Sequence, residues 1–243
     1  MEEHVVKEFE KRLEQMREIA SDPEQIDRRK RQEIIDAEAE AAEREMRLYN
    51  MNIEPEFHDA TLGNFQANTR ELSAALERIR QLIAGDVMKL VMTGRNGTGK
   101  THLACAAVKS ISDGRQIPGK IMTMYEISAT IRGTYSAQSR QTELSVVSEL
   151  ASIPILAIDE IGRTKGSETE SNWLSYIIDK RSARKLPLIL ISNKHVKKHC
   201  TKGGCPDCLE NYIGDDIMSR LLVGGVMLRF DGDDFRRKNG GNQ

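Results

Sequence analysis

Long apolar runs and a large excess of one charge are both missing from this sequence of 243 residues. No apolar run approaches the roughly 20 residues that cross a bilayer, which excludes a membrane protein. The formal net charge is −1 and gives no argument of its own for a nucleic-acid partner. The composition, 39% hydrophobic and 30% charged, is typical of a soluble globular chain with one α/β core and a small appendage.

Cysteines are few, and their placement argues against disulfides. Three of the four lie between positions 200 and 208, which is more typical of a metal site or of reduced thiols than of a disulfide framework. The chain begins Met1-Glu2-Glu3-His4 and shows neither a secretory signal nor an Arg-rich, acid-poor transit peptide. We therefore expect a cytoplasmic protein.

Residues 1–49 predict a small helical N-terminal module. They carry 10 basic and 15 acidic side chains, whereas the rest of the chain carries 26 and 22. Apolar residues recur every three or four positions from Val6 to Ala20, and an Asp-Pro pair then starts a second helix that runs to about Tyr49. Helical spacing leaves open whether this hairpin caps the main domain or binds a partner. Residues 50–67 are expected to form a linker.

From residue 68 onward, apolar runs alternate with helical patterns and predict one main domain, 68–236, before a frayed tail at 237–243. Helices are expected at 69–83, 100–112, 126–135, 142–151 and 168–184. Buried strands are expected at Val87–Met92, Ile117–Met124, Ile155–Ile158, Leu188–Ile191 and Val226–Phe230. This alternation predicts an α/β fold with a five-stranded, mainly parallel sheet.

A glycine-rich loop lies between the first predicted strand and a helix. It reads Gly94-Arg95-Asn96-Gly97-Thr98-Gly99-Lys100-Thr101. Its glycines allow successive backbone N–H groups to surround phosphates at the positive end of the helix. Lys100 is expected to contact the β- and γ-phosphates, and the Thr101 hydroxyl to ligate Mg²⁺. The loop therefore predicts binding of ATP with Mg²⁺.

A second signal is a buried strand that ends in two carboxylates, Asp159 and Glu160. Ligands of parallel sheets bind at the carboxyl ends of the strands, where this pair is expected. We expect Asp159 to hold Mg²⁺ through water, and Glu160 to orient and polarise the attacking water. Such a pair can also cap a helix, but the phosphate loop upstream favours ATP hydrolysis.

Polar residues later in the chain complete the candidate site. Asn193 follows the predicted strand Leu188–Ile191, where an amide can contact the γ-phosphate or the nucleophilic water. A Ser-Asn pair after a strand is also common in ordinary turns. Arg220 and Arg236 lie near the end of the predicted core, and solvated surface arginines are the alternative interpretation for both.

Together these motifs resemble the AAA+ P-loop ATPases of the DnaC type, the replicative helicase loaders of bacteria and phages. The resemblance covers most of residues 50–236. Its most specific parts are the Lys-Thr-His-Leu-Ala run that begins at Lys100 and the Ile-Asp-Glu-Ile-Gly run that ends at Gly162. Both runs also occur in the related transposition helper IstB.

The resemblance implies roles that spacing alone does not assign. Arg220 would be an arginine finger that reaches ATP on a neighbouring subunit, and Arg236 would be the sensor-2 arginine at the nucleotide. Self-association through the ATP site follows, as does an N-terminal module that binds a DnaB-type replicative helicase. Single-stranded DNA would be contacted by Arg132, Tyr135 and Arg140, which combine charge with an aromatic ring.

The chain departs from the family pattern in an insertion at 194–213 that is rich in cysteine and histidine. A Cys-Pro-Asp-Cys run has the two-residue spacing of a zinc hairpin. The predicted Zn²⁺ ligands are Cys200, Cys205, Cys208 and His199, with His195 as the alternative histidine. A second CxxC pair is absent, so reduced, unligated cysteines are the competing interpretation.

These features predict an ATP-dependent replication protein that loads a hexameric helicase onto single-stranded DNA. A transposition helper of the IstB type shares the same ATPase core. A non-hydrolysing adapter would use ATP only as a conformational switch. A P-loop kinase is disfavoured, because it requires an acceptor pocket and lid arginines.

Overall fold

The structure, a computed structural model, describes residues 7, 10–15, 28–163, 168–200, 202, 205, 207–232, 234 and 235. The chain divides into two compact units, Met1–Asn50 and Met51–Gln243, and each is described by itself. Within the described residues, no helix combines the length and hydrophobicity needed to cross a membrane.

The first unit is helical where it is described. Residues 10–15 are helical, and helix α1 spans Arg28–Asn50. Arg12 donates a hydrogen bond to Glu45 at 2.6 Å, which joins the two helical stretches. The remainder of the predicted first helix and its Asp-Pro boundary lie outside the described residues.

Five parallel strands form one sheet in the second unit. They are β1 (Lys89–Gly94), β2 (Gly119–Thr123), β3 (Ile155–Ile161), β4 (Leu188–Ser192) and β5 (Gly225–Phe230). Their order in the sheet is β2-β3-β4-β1-β5, and every neighbouring pair is parallel. The predicted α/β fold with a five-stranded, mainly parallel sheet is confirmed.

Helices cover this sheet and bury its central strands. They are α2 (Arg70–Ala84), α3 (Lys100–Arg115), α4 (Met124–Gly133), α5 (Glu143–Ser152), α6 (Glu168–Ala183), α7 (Leu209–Ile213) and α8 (Asp215–Leu222). The side chains of β3 and β4 are buried almost without interruption, because helices pack on both faces of a parallel sheet. This explains why both strands read as continuous apolar runs.

One boundary differs from the prediction for a local reason. The apolar run at 117–124 predicts that Met124 ends a strand, but the structure starts α4 at this residue. The Thr123 hydroxyl accepts a hydrogen bond from the Glu126 N–H, while the Glu126 carboxylate accepts one from the Thr123 N–H. This capping box satisfies two donors of the first helical turn and ends the strand early.

The segment predicted as a linker, 50–67, belongs to the second unit from Met51 onward. The Lys109 ammonium on α3 donates to the backbone oxygens of Phe57, at 3.2 Å, and His58, at 2.7 Å. Further along, His102 Nε2 lies 3.1 Å from the Thr61 carbonyl oxygen. The segment therefore runs along α3 toward the edge of the sheet where the strands end.

A buried arginine on α6 supports the start of two strands. Arg181 is 1% exposed and donates hydrogen bonds to the carbonyl oxygens of Ile153, at 2.5 Å, and Pro187. Ile153 lies two residues before the start of β3, and Pro187 directly precedes β4. Burial lowers the pKa of the Arg181 guanidinium to about 10. The charge is retained at neutral pH, and its donors satisfy carbonyls that water cannot reach.

We expect Arg181→Met to lower the free energy of unfolding by about 2–4 kcal/mol, because buried carbonyls lose their donors. The fluorescence of Trp173, the single tryptophan of the chain, reports on this unit during urea denaturation. Arg184→Met is the matched control, since Arg184 is exposed and is expected to change stability by less than about 0.5 kcal/mol. Equal effects of the two substitutions would contradict a supporting role for Arg181.

Candidate active site

A cavity of about 1030 Å³ opens at the carboxyl ends of the central strands. Several of the residues predicted to handle ATP line it: Asn96, Gly97, Gly99, Lys100, Thr101, Asp159, Glu160 and Asn193. Residues Gly94, Arg95 and Thr98 belong to the same loop without lining the cavity. The volume is sufficient for a nucleoside triphosphate.

The phosphate loop holds its own lysine. Lys100 is the first residue of α3, and its ammonium donates to the carbonyl oxygens of Gly94, at 2.8 Å, and Arg95, at 2.6 Å. The Thr98 hydroxyl also donates to the Arg95 oxygen, at 2.9 Å. The ammonium is thereby fixed within the loop, where a bound phosphate would meet it.

Two glycines of this loop are required by close approach as well as by backbone conformation. Gly97 has φ of 74°, and a Cβ atom there would overlap the Asp234 carboxylate. Gly99 has φ of 87°, and a Cβ atom would lie 2.6 Å from Cε2 of Phe65. Only glycine combines the left-handed conformation with this lack of space.

A hydrogen bond links the phosphate loop to the second motif. The Thr101 hydroxyl donates to Oδ2 of Asp159 at 2.7 Å, and the Glu160 N–H donates to Oδ1 of the same carboxylate at 2.5 Å. Burial raises the pKa of the Asp159 carboxyl above its usual range, while these two donors oppose the shift. A hydroxyl beside a partly desolvated carboxylate is the oxygen ligand set that Mg²⁺ prefers.

A β-bulge presents the second carboxylate. Ile158 pairs with Leu190 and Ile161 with Ser192, so two residues of β3 occupy the space opposite one residue of β4. Glu160 lies in this bulge with φ of 57°, a left-handed conformation that is uncommon for glutamate. Its Oε1 atom forms an ion pair with Arg163 at 2.5 Å. The bulge turns Asp159 and Glu160 toward the same cavity.

Asn193 follows β4, which lies between β1 and β3 in the sheet. Its side chain is exposed to the cavity, between the phosphate loop and the carboxylate pair. The adjacent Ser192 hydroxyl donates to the Ile161 carbonyl oxygen at 2.6 Å and fixes β4 against the bulge. The geometry thus brings a lysine, a hydroxyl beside a carboxylate, a second carboxylate and a polar amide together in one cavity.

Of the two downstream arginines, the structure describes Arg220. Arg220 on α8 does not line the cavity of its own chain; it donates to Asp179 at 2.6 Å and to Ser175 at 2.7 Å on α6. Its side chain remains 44% exposed. Arg236, like the tail at 237–243, lies outside the described residues.

Residues suggested for contact with single-stranded DNA are at or after the end of α4. Arg132 lies in its last turn, and both Tyr135 and Arg140 follow in the connection to α5. All three are exposed, and the Tyr135 hydroxyl donates to Glu143 at 2.6 Å. Tyr125, on the first turn of the same helix, is 65% exposed and was not singled out by the sequence patterns.

In the Cys/His insertion, atoms that could ligate a metal ion lie close together, and the histidine of this group is His195. The three cysteines of this group are those predicted: Cys200, Cys205 and Cys208. The side chain of His199, the histidine chosen from spacing, lies outside the described residues. His195 also lines the cavity beside Asn193.

Several cavity residues carry no recognisable signal in the sequence. They come from the segment before α2, from the end of β3 and from the end of the chain, and include Glu56, Phe65, Gln66, Arg163 and Phe235. Phe65 is the clearest case, because its ring packs against His102, with 5.8 Å between ring centroids, and limits the space at Gly99. An aromatic residue in an otherwise polar stretch is the one sequence feature that could have indicated this contact.

The sheet order, the phosphate loop and the carboxylate pair define a P-loop ATP-binding protein with the AAA+ fold. The profile of the family described as "IstB-like ATP binding protein" matches residues 6–242, and the chain belongs to that family. The predicted resemblance is thereby confirmed.

Relatives within this family include proteins named replicative helicase loader DnaC. The chain is 29% identical over 170 residues to that of Buchnera aphidicola subsp. Schizaphis graminum, a match that covers 69% of this chain and 64% of the relative. It is 25% identical over 217 residues to that of Escherichia coli K12, covering 84% and 82%. The chain thus spans slightly under two thirds of the first relative's length and most of the second.

Solved structures support the fold. The crystal structure of the DnaC helicase loader is similar with a TM-score of 0.61 and 20% identity, covering 73% of this chain and 100% of that chain. AMPPCP-bound DnaA from Aquifex aeolicus is similar with a TM-score of 0.59 and 20% identity, covering 76% and 54%. At such identities the similarity concerns the AAA+ architecture alone.

The raised pKa of Asp159 makes a prediction for the nucleotide-free chain. Above the raised folded pKa the carboxyl is ionised in both the folded and the unfolded state, so the cost of burying its charge is fully present. We expect Asp159→Asn to raise the thermal unfolding midpoint at pH 7. The gain should shrink as the pH falls through the raised folded pKa and disappear only below the unfolded value of 3.8, where the carboxyl is protonated in both states.

Scanning calorimetry of nucleotide-free, metal-free protein across this pH range measures the difference. Asp86→Asn, at an exposed carboxylate, is the control and should change the midpoint little at any pH. A lower midpoint for Asp159→Asn at neutral pH would show that the hydrogen bonds to this carboxylate outweigh its burial.

Proposed function

We propose that this protein hydrolyses ATP to control the loading of a hexameric replicative helicase onto single-stranded DNA. The observation that carries the proposal is the cavity in which Lys100, Thr101, Asp159, Glu160 and Asn193 come together, in a chain whose relatives are named replicative helicase loaders. ATP binding belongs to the family; hydrolysis and its coupling to a helicase are the proposed steps.

Separate residues of the chain bind the phosphates of ATP and the Mg²⁺ ion. The phosphate loop and Lys100 bind the phosphate chain, and Thr101 with Asp159 would hold Mg²⁺. Held by these residues, the ion would supply positive charge that neutralises the phosphate chain. The 2.7 Å hydrogen bond between Thr101 and Asp159 already places these two ligands together, so little rearrangement of protein is needed.

Glu160 and Asn193 act on the water that attacks the γ-phosphate. Glu160 accepts a proton from this water and orients it, and the Asn193 amide donates to the water or to the γ-phosphate. The ion pair with Arg163 holds the Glu160 carboxylate at the cavity wall. A general base must lie within hydrogen-bond distance of the proton that it accepts. The bulge favours this, because it turns Glu160 toward the cavity.

Arg220 completes the site of a neighbouring subunit. It is exposed, is held by Asp179 and Ser175, and does not line the cavity of its own chain. A guanidinium in that position can stabilise transition-state charge only where two chains meet. Self-association through the ATP site is therefore part of the proposal. For Arg236 we propose contact with the nucleotide, on the family resemblance alone.

Contacts with the two macromolecular partners are assigned to separate regions. Arg132, Tyr135 and Arg140 are exposed around the end of α4, where cationic groups can bind the DNA backbone and the tyrosine ring can stack on a base. The acidic helical unit Met1–Asn50 is proposed to bind the DnaB-type helicase.

A transposition helper of the IstB type is the second candidate, because the matching family carries that description. It would use the same ATPase core and recruit a transposase in place of a helicase. A non-hydrolysing adapter would retain ATP binding without turnover.

Turnover by mixed variants tests both hydrolysis and the shared site. We expect Glu160→Gln to lower ATP turnover by about 100-fold or more while ATP still binds, because the base is lost and the phosphate loop is intact. Arg220→Ala should also be nearly inactive. Mixing the two should restore part of the activity, since a Glu160-bearing site can then receive Arg220 from the other chain.

The mixture is assayed with single-stranded DNA and the helicase present, at constant total protein. The control mixture contains Glu160→Gln with Arg184→Ala in place of Arg220→Ala. Arg184→Ala should be active on its own. No recovery in the mixture would contradict the intersubunit arginine. Equal, negligible turnover of the parent chain and of Glu160→Gln would favour the adapter.

A binding experiment tests the partner. The full chain, with ATP and Mg²⁺, should form a stable complex with the purified hexameric replicative helicase, and a chain that lacks residues 1–49 should not. Nucleotide binding by the truncated chain is the control for its folding. Equal helicase binding by both chains contradicts the assigned role of the N-terminal unit, and binding of the cognate transposase alone supports the IstB-type function.

A further inference from the structure

Four side chains of the types that ligate metals converge in the insertion between β4 and α7. One ligand atom from each of His195, Cys200, Cys205 and Cys208 lies within 4.8 Å of all the others. The Cys205 sulfur is 3.4 Å from Nε2 of His195. A tetrahedron with Zn–S bonds of about 2.3 Å has edges of about 3.8 Å, so these atoms surround a space close to the size that zinc requires.

The backbone holds the two ends of this group together. His195 and Cys208 form an isolated β-bridge, and the Leu209 N–H donates to the His195 carbonyl oxygen at 2.8 Å. The Asn211 side chain donates to the Cys205 carbonyl oxygen at 2.6 Å. Val196 and Leu209, which follow the two bridged residues, are buried in the core. The fold therefore brings the ligands together through contacts that do not involve their side chains.

The ligand chemistry selects the metal. Three thiolates and one imidazole suit a borderline-soft cation and not the oxygen-seeking Mg²⁺ of the ATP site. Four protein ligands fill a tetrahedral shell and leave no position for water, which indicates a structural ion. Three thiolates with Zn²⁺ carry a net charge of −1, and the stretch 194–208 supplies four lysines against one aspartate to balance it.

We propose that His195, Cys200, Cys205 and Cys208 bind one structural Zn²⁺ per chain. The ion stabilises the polar segment between Val196 and Cys208. This segment has no large apolar residue with which to build a core of its own. Because His195 and Asp207 also line the ATP cavity, the ion fixes the wall of that cavity next to Asn193. The proposal does not depend on the identity of the partner protein.

The fourth cysteine of the chain is separate from this group. Cys105 is buried on α3, and burial raises the pKa of its thiol to about 12. It therefore remains a protonated core residue and does not compete for the metal. Any zinc that depends on cysteine must be held by the insertion.

Metal analysis of the tag-free full chain, purified from zinc-supplemented cells without chelator, tests the proposal. We expect one Zn²⁺ per chain in the parent, and a loss of most of it in Cys208→Ser and in His195→Ala. The matched control is His199→Ala, four positions along, which should retain the parent's zinc. Zinc retained by Cys208→Ser would overturn the site, and loss in His199→Ala with retention in His195→Ala would overturn the histidine assignment.

Two measurements on the parent chain keep the test independent of how well the variants fold. Replacement of zinc by Co²⁺ should give the thiolate charge-transfer absorption and the intense visible bands of a tetrahedral sulfur-rich site. A thiol-specific mercurial should release one zinc per chain, detected with a chromogenic chelator. A parent chain with no zinc and freely titrating thiols, or an octahedral cobalt spectrum, would overturn the proposal.

Discussion

The active site depends on one topological constraint, the placement of β4 between β1 and β3. In a parallel sheet the carboxyl ends of all strands lie at one edge, so the residues that follow these three strands meet there. The phosphate loop follows β1, the carboxylate pair ends β3, and Asn193 follows β4. The Thr101 to Asp159 hydrogen bond then joins the two outer strands across the middle one. Chain order separates these residues by up to about 100 positions, and sheet order removes that separation.

Helix α6 connects the site to the rest of the core through two neighbouring charges. Asp179 and Arg181 are two positions apart, so they point to nearly opposite sides of the helix. Asp179 lies on the exposed side and holds Arg220. Arg181 lies on the buried side and binds the carbonyls that precede β3 and β4. One helix thereby fixes both the start of β3 and β4 and the arginine that we propose to act on a neighbouring chain.

The sequence was sufficient for the parts of the site whose chemistry is local. The phosphate loop is contiguous, and the apolar runs that precede Asp159 and Asn193 mark buried strands, so these elements and the sheet were predictable. Contacts between residues that are far apart in the sequence were not predictable. Phe65 reaches Gly99 through tertiary packing, and the presence of His195 in the Cys/His group follows from its β-bridge to Cys208 and not from residue spacing. The left-handed Glu160 likewise depends on a bulge that no residue pattern signals.

That conformation of Glu160 has a consequence for how the protein can change over evolution. A residue with a Cβ atom in the left-handed region costs about 1–2 kcal/mol, and glycine or asparagine relieves most of this cost. Either replacement would also remove the carboxylate that we propose as the general base. A search for more heat-resistant variants would therefore favour the loss of the proposed base at this position. Under the proposed function, selection for turnover keeps a glutamate where the backbone would accept a smaller residue more readily.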